Sequence, residues 1–145
     1  MVGTLLYAFG LMALCVAIHA AGLARAFSWL DRSAERPRPL LRWTGLLIVV
    51  AGWTVLVHLV EILVWALFYV WKDGMPDLPT ALYFSAVTYT TTGYGDLVLP
   101  EDLRLIGAVE ALTGILMCGW STGFFFALVS KIHVTEKGNA ERVTR

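Results

Sequence analysis

The residues whose types and spacing could do chemistry lie in one short run, 91–96, with the sequence TTGYGD. A hydrated cation sheds its water only where oxygen atoms replace that water at similar distances, and backbone carbonyls aimed at one axis can do so. Carbonyls that all point to one side require alternating signs of φ, and Gly93 and Gly95 reach φ > 0 with little penalty. Thr91 adds a hydroxyl below the carbonyl rows, and Tyr94 could brace the strand from behind. The run therefore predicts a binding site for a dehydrated cation.

This run resembles the signature filter of potassium channels, although Thr92 stands where valine or isoleucine is commoner. The residues before it, 81–90, resemble the pore helix of two-transmembrane prokaryotic potassium channels, and the resemblance covers Trp43 to His133. A glycine-rich turn of another membrane protein is the alternative, which the surrounding pattern disfavours. The resemblance implies passive K⁺ movement through Thr91 to Gly95, and its K⁺ ligands would be the Thr91 hydroxyl and the carbonyl oxygens of Thr91, Thr92, Gly93 and Tyr94.

Composition places the 145-residue chain in a membrane, because 58% of its residues are hydrophobic and only 15% are charged. Leu5 to Ala24, Trp43 to Val70 and Leu105 to Ser130 each reach or exceed the ~20 residues that a spanning helix needs. The first segment lacks a basic start and an obvious cleavage site, so we keep it as a helix. We expect an all-α membrane protein with three transmembrane helices, a re-entrant pore helix and a filter, assembled as a tetramer.

The pattern divides the chain into four parts. These are a peripheral N-terminal helix at 1–30, a cytoplasmic Arg- and Pro-rich loop at 31–42, a pore domain at 43–133 and a short cytoplasmic tail at 134–145. Within the pore domain we expect an outer helix at 43–71, a pore helix at 79–90, the filter at 91–96 and an inner helix at 104–132. Asp77 is expected to cap the pore helix.

Positive charge is distributed unevenly along the chain. By the positive-inside rule, the N-terminus and the filter segment face outwards, and the loop and the tail are cytoplasmic. We therefore expect a multi-pass protein of the cell membrane, and its compact length suggests a prokaryotic inner membrane. The basic residues behind this prediction are Arg25, Arg32, Arg36, Arg38, Arg42, Lys131, Lys137, Arg142 and Arg145.

The surroundings of the filter depart from the family pattern. Val87 stands where the best-known bacterial relative has a glutamate, so a carboxyl pair with Asp96 is not available. Tyr83 and Thr88 keep polar atoms at matching places. We expect them to support the filter through hydrogen bonds to Asp96 and Tyr94.

The inner helix contains further candidates. Glu110 is expected to lie behind the filter and to substitute for the missing pore-helix carboxylate. Gly114 lies at the interval from Arg104 that the family's gating-hinge glycine occupies, although close helix packing explains a glycine there equally well. Packing is the preferred explanation for Gly119 and Gly123.

One face of the inner helix carries a candidate gate. Cys118, Thr122, Phe126 and Ser130 recur every four residues and so share a face. If this face lines the cavity, Thr122 lies in its wide part and a ring of Phe126 could close the pore by dewetting. The alternative is that the three phenylalanines at 124–126 all pack against the outer helix.

The outer helix holds an ionisable pair, His58 and Glu61, three residues apart. Such groups are costly in hydrocarbon and are by default a functional-site hypothesis. A buried hydrogen-bonded link between helices is the competing interpretation, and a pH-sensing role rests on histidine titrating near neutrality. The first segment has one polar residue in its apolar run, His19.

One chain supplies one filter strand, whereas a K⁺ filter needs a ring of four. We therefore expect a homotetramer in the lipid bilayer, with K⁺ as the permeant ion, no cofactor and no nucleic-acid partner. No nucleophile, zinc or phosphate-loop pattern occurs in the sequence, so an enzyme is not expected. The alternatives are a non-selective cation channel, a subunit of a potassium uptake transporter and a non-conducting membrane adaptor.

Overall fold

A computed structural model describes the backbone of residues 2–33 and 40–143 and the side chains of residues 3–30 and 43–131. Four helices make up the fold: α1 (Val2–Ser33), α2 (Leu40–Trp71), α3 (Leu78–Tyr89) and α4 (Arg104–Val143). Within the described ranges there is no strand ladder. Three helical segments are long and apolar enough to cross a membrane, namely Gly3–Leu30, Trp43–Trp71 and Arg104–Lys131. The expected all-α membrane fold is thereby confirmed.

Several bounds differ from the sequence expectation: α1 continues to Ser33, α3 lies one residue earlier at each end, and the start of α2 and the end of α4 also differ. The helix α2 begins at Leu40, directly after Pro39. Proline is tolerated at the start of a helix and disrupts its interior, so a helix is expected to begin next to Pro39 and not to run through it. The backbone of α4 remains helical to Val143, well past residue 132, because the residues that follow include no proline and several good helix formers. The basic side chains expected at 31–42 and after Lys131, and His133, lie outside the described side chains.

The helix α1 packs against both α2 and α4. At Gly22 the two antiparallel helices α1 and α2 come close together, since a Cβ there would lie 2.6 Å from a methyl group of Val57. Trp53 of α2 donates its indole N–H to the carbonyl oxygen of Gly22 at 2.9 Å. A buried cluster then joins α1, α2 and α4 at the end that we expect to be cytoplasmic: Leu23, Ala26, Leu30, Leu46, Val50, Phe124 and Leu128.

The connection between α2 and α3 turns the chain back into the protein. The amide of Gly74 donates to the carbonyl oxygen of Tyr69 at 2.8 Å, and a Cβ at Gly74 would meet Leu103 at 2.8 Å. Asp77 is the N-cap of α3, as predicted, and accepts a hydrogen bond from the amide of Thr80 at 2.8 Å. That bond lowers the pKa of the Asp77 carboxyl. With 12 residues, α3 is too short to span the membrane and ends where the filter run begins.

Candidate functional site

The backbone of the filter run alternates in the way that its glycines predict. Gly93 and Gly95 have φ of 54° and 76°, and Thr91 has φ of 60°. Every second residue from 91 to 95 is therefore in the left-handed region. A β-branched residue seldom adopts this conformation, so the sequence did not predict it for Thr91. The amide of Thr91 donates to the carbonyl oxygen of Thr88 at 2.9 Å, which holds the strained residue in place.

The strand is anchored to the last turn of α3. The amides of Thr92 and Gly93 both donate to the carbonyl oxygen of Val87, at 2.9 and 3.3 Å. The hydroxyl of Thr90 donates to the carbonyl oxygen of Ala86 at 2.7 Å, and it lies 3.0 Å from the hydroxyl of Thr92. The Thr92 hydroxyl is thus paired with a residue that caps the pore helix. Threonine in place of valine or isoleucine therefore finds a local hydrogen-bond partner in Thr90.

Tyr83 makes the contact with Asp96 that its position suggests, and Thr88 does not. The hydroxyl of Tyr83 donates to Asp96 Oδ2 at 2.7 Å, and this bond to a carboxylate raises the pKa of the phenol. Asp96 Oδ1 also accepts from the amide of Leu97 at 3.1 Å. Among the described residues, Thr88 takes part in the site through its carbonyl oxygen, with no side-chain hydrogen bond to Asp96 or Tyr94. Of the two supporting bonds expected from Tyr83 and Thr88, that of Tyr83 is present in the described residues and that of Thr88 is not.

Glu110 lies behind the pore helix instead of beside the filter strand. Its carboxylate accepts a hydrogen bond from the hydroxyl of Tyr69 at 2.6 Å and another from the hydroxyl of Ser85. The Ser85 hydroxyl also lies 2.9 Å from the carbonyl oxygen of Ile62. No bond joins Glu110 to residues 91–96 in the described ranges. Because its position on α4 faces the middle of α3, Glu110 fastens the outer, pore and inner helices together, and it does not replace the missing carboxylate.

His58 and Glu61 belong to a larger buried cluster that the sequence did not reveal. Glu61 Oε1 lies 3.0 Å from His19 Nδ1, and Glu61 Oε2 accepts from the hydroxyl of Tyr89. His58 Nδ1 lies 3.0 Å from the Tyr89 hydroxyl and 3.5 Å from Glu61 Oε2. The hydroxyl of Ser121 lies 3.1 Å from Nε2 of both histidines. We call these five residues the polar ring.

The polar ring draws one or two residues from each of the four helices. Its five contacts run in a closed circle from Glu61 through His19, Ser121, His58 and Tyr89 back to Glu61. Each contact needs one proton, and the five side chains carry five titratable or hydroxyl protons when the ring is neutral overall. All five hydrogen bonds can therefore be made at once without a net buried charge. This geometry favours the interpretation of His58 and Glu61 as a structural link.

Nothing local to α2 could have identified the other members of this ring. His19 and Glu61 are separated by 42 positions, and His19 and Ser121 by 102. The available signal was His19 itself, a lone polar residue in an apolar segment. A fully buried histidine must find a partner, because an unpaired polar group in an apolar interior is costly.

Gly114 marks the closest approach of the inner helix to the pore helix. A Cβ at this position would lie 1.9 Å from the carbonyl oxygen of Tyr89. Gly119 and Gly123 have open space within this chain. Close packing therefore explains the glycine at Gly114, for which a gating hinge was the alternative. At Gly119 and Gly123, no contact among the described residues of a single chain supports the packing explanation.

The candidate gate face of α4 is exposed in the single chain. Thr122 is exposed, with its hydroxyl donating to the carbonyl oxygen of Cys118 at 2.9 Å, and the side chain of Phe126 is 75% exposed. Phe124 is buried and meets Phe27 of α1 edge to face at 4.6 Å between ring centroids. The alternative in which all three phenylalanines pack against the outer helix is wrong, because the helical period turns Phe126 away from it.

Three helices able to span a membrane, a half-length helix between the second and third, and a strand with alternating φ define the pore unit of an ion channel. The ion-channel family model matches residues 44–131, which is more than half of the chain. The chain therefore belongs to this family, and its helix α1 precedes the matched region.

A potassium voltage-gated channel protein, Shal from Drosophila melanogaster, is similar to part of the chain. The two are 29% identical over 86 residues, which cover 54% of this chain and 15% of Shal. The chain thus spans about 15% of the length of that relative. No solved structure matches the chain significantly.

Proposed function

We propose that four copies of this chain surround one axis and form a potassium-selective channel. The observation that carries the proposal is the run at 91–96, which has alternating φ and is exposed along its whole length in the single chain. Irregular backbone at membrane depth is tolerated only where protein or a water-filled cavity covers it. Further copies of the same strand around an axis would cover the run with protein and enclose a water-filled cavity. The similarity to part of a potassium channel also supports K⁺ as the permeant ion.

In this assembly K⁺ moves passively along the carbonyl oxygens of residues 91–94 and past the hydroxyl of Thr91. The pairing of the Thr92 hydroxyl with Thr90 supports selectivity, because it keeps that hydroxyl engaged with the residue that caps the pore helix. The bond between Tyr83 and Asp96 stabilises the outer end of the filter. The alternative is a non-selective filter, because Thr92 stands where valine or isoleucine is commoner.

Aromatic side chains mark a membrane interface where α1 begins and α2 ends. The ammonium group of Lys72 lies 4.5 Å from the ring centroid of Tyr7 and 4.0 Å from that of Trp71. Tyr7 and Trp71 lie where α1 begins and α2 ends, in edge-to-face contact at 5.8 Å. Aromatic residues of this kind concentrate at the membrane interface. By the positive-inside rule, the Arg-rich segment 31–42 and the basic residues from Lys131 onwards favour a cytoplasmic C-terminus.

The test is K⁺ flux into liposomes that contain the purified protein, with valinomycin defining full equilibration, followed by single-channel currents with K⁺ on one side and Na⁺ on the other. We expect a reversal potential near the K⁺ equilibrium value and a tetramer by mass in detergent. Reversal near zero would replace the proposal with a non-selective channel. A monomer or dimer that passes no ions would replace it with a non-conducting adaptor.

Two glycine-to-alanine variants distinguish an effect on the filter backbone from a general effect of the substitution on the protein. Gly93→Ala adds a methyl group that meets nothing within 4 Å in a single chain, so within that chain its penalty comes from φ of 54°. We expect it to abolish selective current. Gly10→Ala on α1 also meets nothing within 4 Å and lies in an ordinary helix, so its current should match the unaltered protein. Equal currents in both variants would contradict the assignment of residues 91–95 as the filter.

A further inference from the structure

The polar ring contains a set of side chains that metal ions prefer. One ring nitrogen of His19, one ring nitrogen of His58 and a carboxylate oxygen of Glu61 all lie within 4.8 Å of one another. His19 and Glu61 are fully buried, and His58 is largely so. We propose that these three residues bind one transition-metal ion of the zinc class per chain, at a site separate from the conduction filter.

Each histidine already lies close to one oxygen of the Glu61 carboxylate. Zinc bonds of about 2.0–2.1 Å in a tetrahedron place neighbouring ligand atoms about 3.4 Å apart. Here His19 Nδ1 is 3.0 Å from Glu61 Oε1, and His58 Nδ1 is 3.5 Å from Glu61 Oε2. The hydroxyl of Tyr89 lies 3.0 Å from His58 Nδ1 and can take the fourth position. The ligand atoms of His19, His58 and Glu61 lie within 4.8 Å of one another, so the two histidines would have to draw closer to a shared carboxylate oxygen to complete a tetrahedral site.

The hydroxyl of Ser121 is placed to orient the rings of the two histidine ligands. Histidine ligands of metals usually donate their second ring N–H to an acceptor, which fixes the tautomer. The hydroxyl of Ser121 lies 3.1 Å from Nε2 of both His19 and His58, and its oxygen has two lone pairs. It can accept from both rings at once, so that both Nδ1 atoms face the ion. One buried hydroxyl would thus orient two ligands from two helices.

The donor set decides which class of ion fits. Two imidazoles and one carboxylate suit zinc and neighbouring transition metals, whereas calcium and magnesium prefer oxygen ligands alone. Binding to the neutral ring releases the proton that Glu61 shares, and the carboxylate then offsets one of the two positive charges. An ion here would fasten α1 to α2 and hold Tyr89, which lies two residues before the filter.

The test uses the full chain in detergent after the removal of metals with a chelator. Titration with Co²⁺ should give the visible absorption of a tetrahedral site, and competition with a coloured chelator should report one Zn²⁺ per chain. His19→Asn should weaken Zn²⁺ binding at least about 100-fold, because it removes a ligand. Ser121→Ala should weaken it about 10- to 100-fold through loss of the shared acceptor. His133→Asn, which replaces the third histidine of the chain, is the matched control and should bind as tightly as the unaltered protein.

Circular dichroism and mass in detergent establish that each variant is folded. If His19→Asn does not fold, Glu61→Gln provides the same measurement with a nearly isosteric side chain. A folded, unaltered chain that takes up no stoichiometric Zn²⁺ or Co²⁺ would overturn the proposal. So would equal affinities in the His19→Asn and His133→Asn variants. Because no current is measured, failure here is distinct from failure of the proposed channel function.

Discussion

Gly114→Ala is the substitution in α4 for which the structure predicts the clearest conflict. The added Cβ would lie 1.9 Å from the carbonyl oxygen of Tyr89 and 2.8 Å from its carbonyl carbon. Ordinary contact begins near 3.4 Å, so the two helices must separate by about 1.5 Å at this point. Both opposing atoms belong to the backbone and cannot rotate away. Alanine in a helix interior otherwise gains about 1 kcal/mol over glycine.

The net effect follows from these opposing terms. Overpacking of a well-packed interior costs about 1–3 kcal/mol, and a backbone clash belongs near the upper end of that range. After the gain in helix propensity, we expect the free energy of unfolding to fall by about 2 kcal/mol. Tyr89 directly precedes the turn into the filter, so a displaced α3 should also reduce K⁺ over Na⁺ selectivity.

Two measurements test this expectation. Equilibrium unfolding of the purified protein in mixed micelles gives the change in stability, and reversal potentials in planar bilayers give selectivity. Gly52→Ala on α2 is the control, since its Cβ meets nothing within 4 Å and should leave stability unchanged or raise it by up to about 1 kcal/mol. If Gly114→Ala kept both stability and selectivity and changed only the open probability, a hinge role would be right and the packing argument would be refuted.

Three further predictions concern the filter and the gate. Thr92→Val should leave the K⁺/Na⁺ reversal potential unchanged, because the Thr92 hydroxyl is paired with that of Thr90; a shift towards zero would contradict this. Phe126→Ala should raise the single-channel open probability, because the exposed ring would narrow the cytoplasmic end of the pore, and an unchanged value would exclude it as the gate. Tyr83→Phe should shorten the conducting period under sustained recording, because it removes the 2.7 Å bond to Asp96. In the unaltered protein the hydrogen bond from Tyr83 to Asp96 should be lost only in alkali. It is lost as the pH rises through the raised pKa of Tyr83, because the ionised phenol cannot donate.

The elements of the pore could be predicted from the sequence because their signals are local. Apolar length identifies the spans, and Asp77 followed by Pro79 marks the start of α3. The glycines at 93 and 95 mark the positive φ values of the strand. The partners of Glu110 could not be predicted, because Tyr69 and Ser85 lie on other helices at 41 and 25 positions away.

The sequence by itself determined that the chain has segments able to cross a membrane, that a half-length helix precedes a run with two glycines, and that His58 and Glu61 share a helix face. Each of these follows from composition or from the period of one element. Only the tertiary structure decided that His19 and Ser121 complete a ring around Glu61, that Thr91 joins the glycines at positive φ, and that Gly114 touches the carbonyl of Tyr89. Those contacts depend on the depth and rotation of one helix against another, which long-range packing sets and no local pattern encodes.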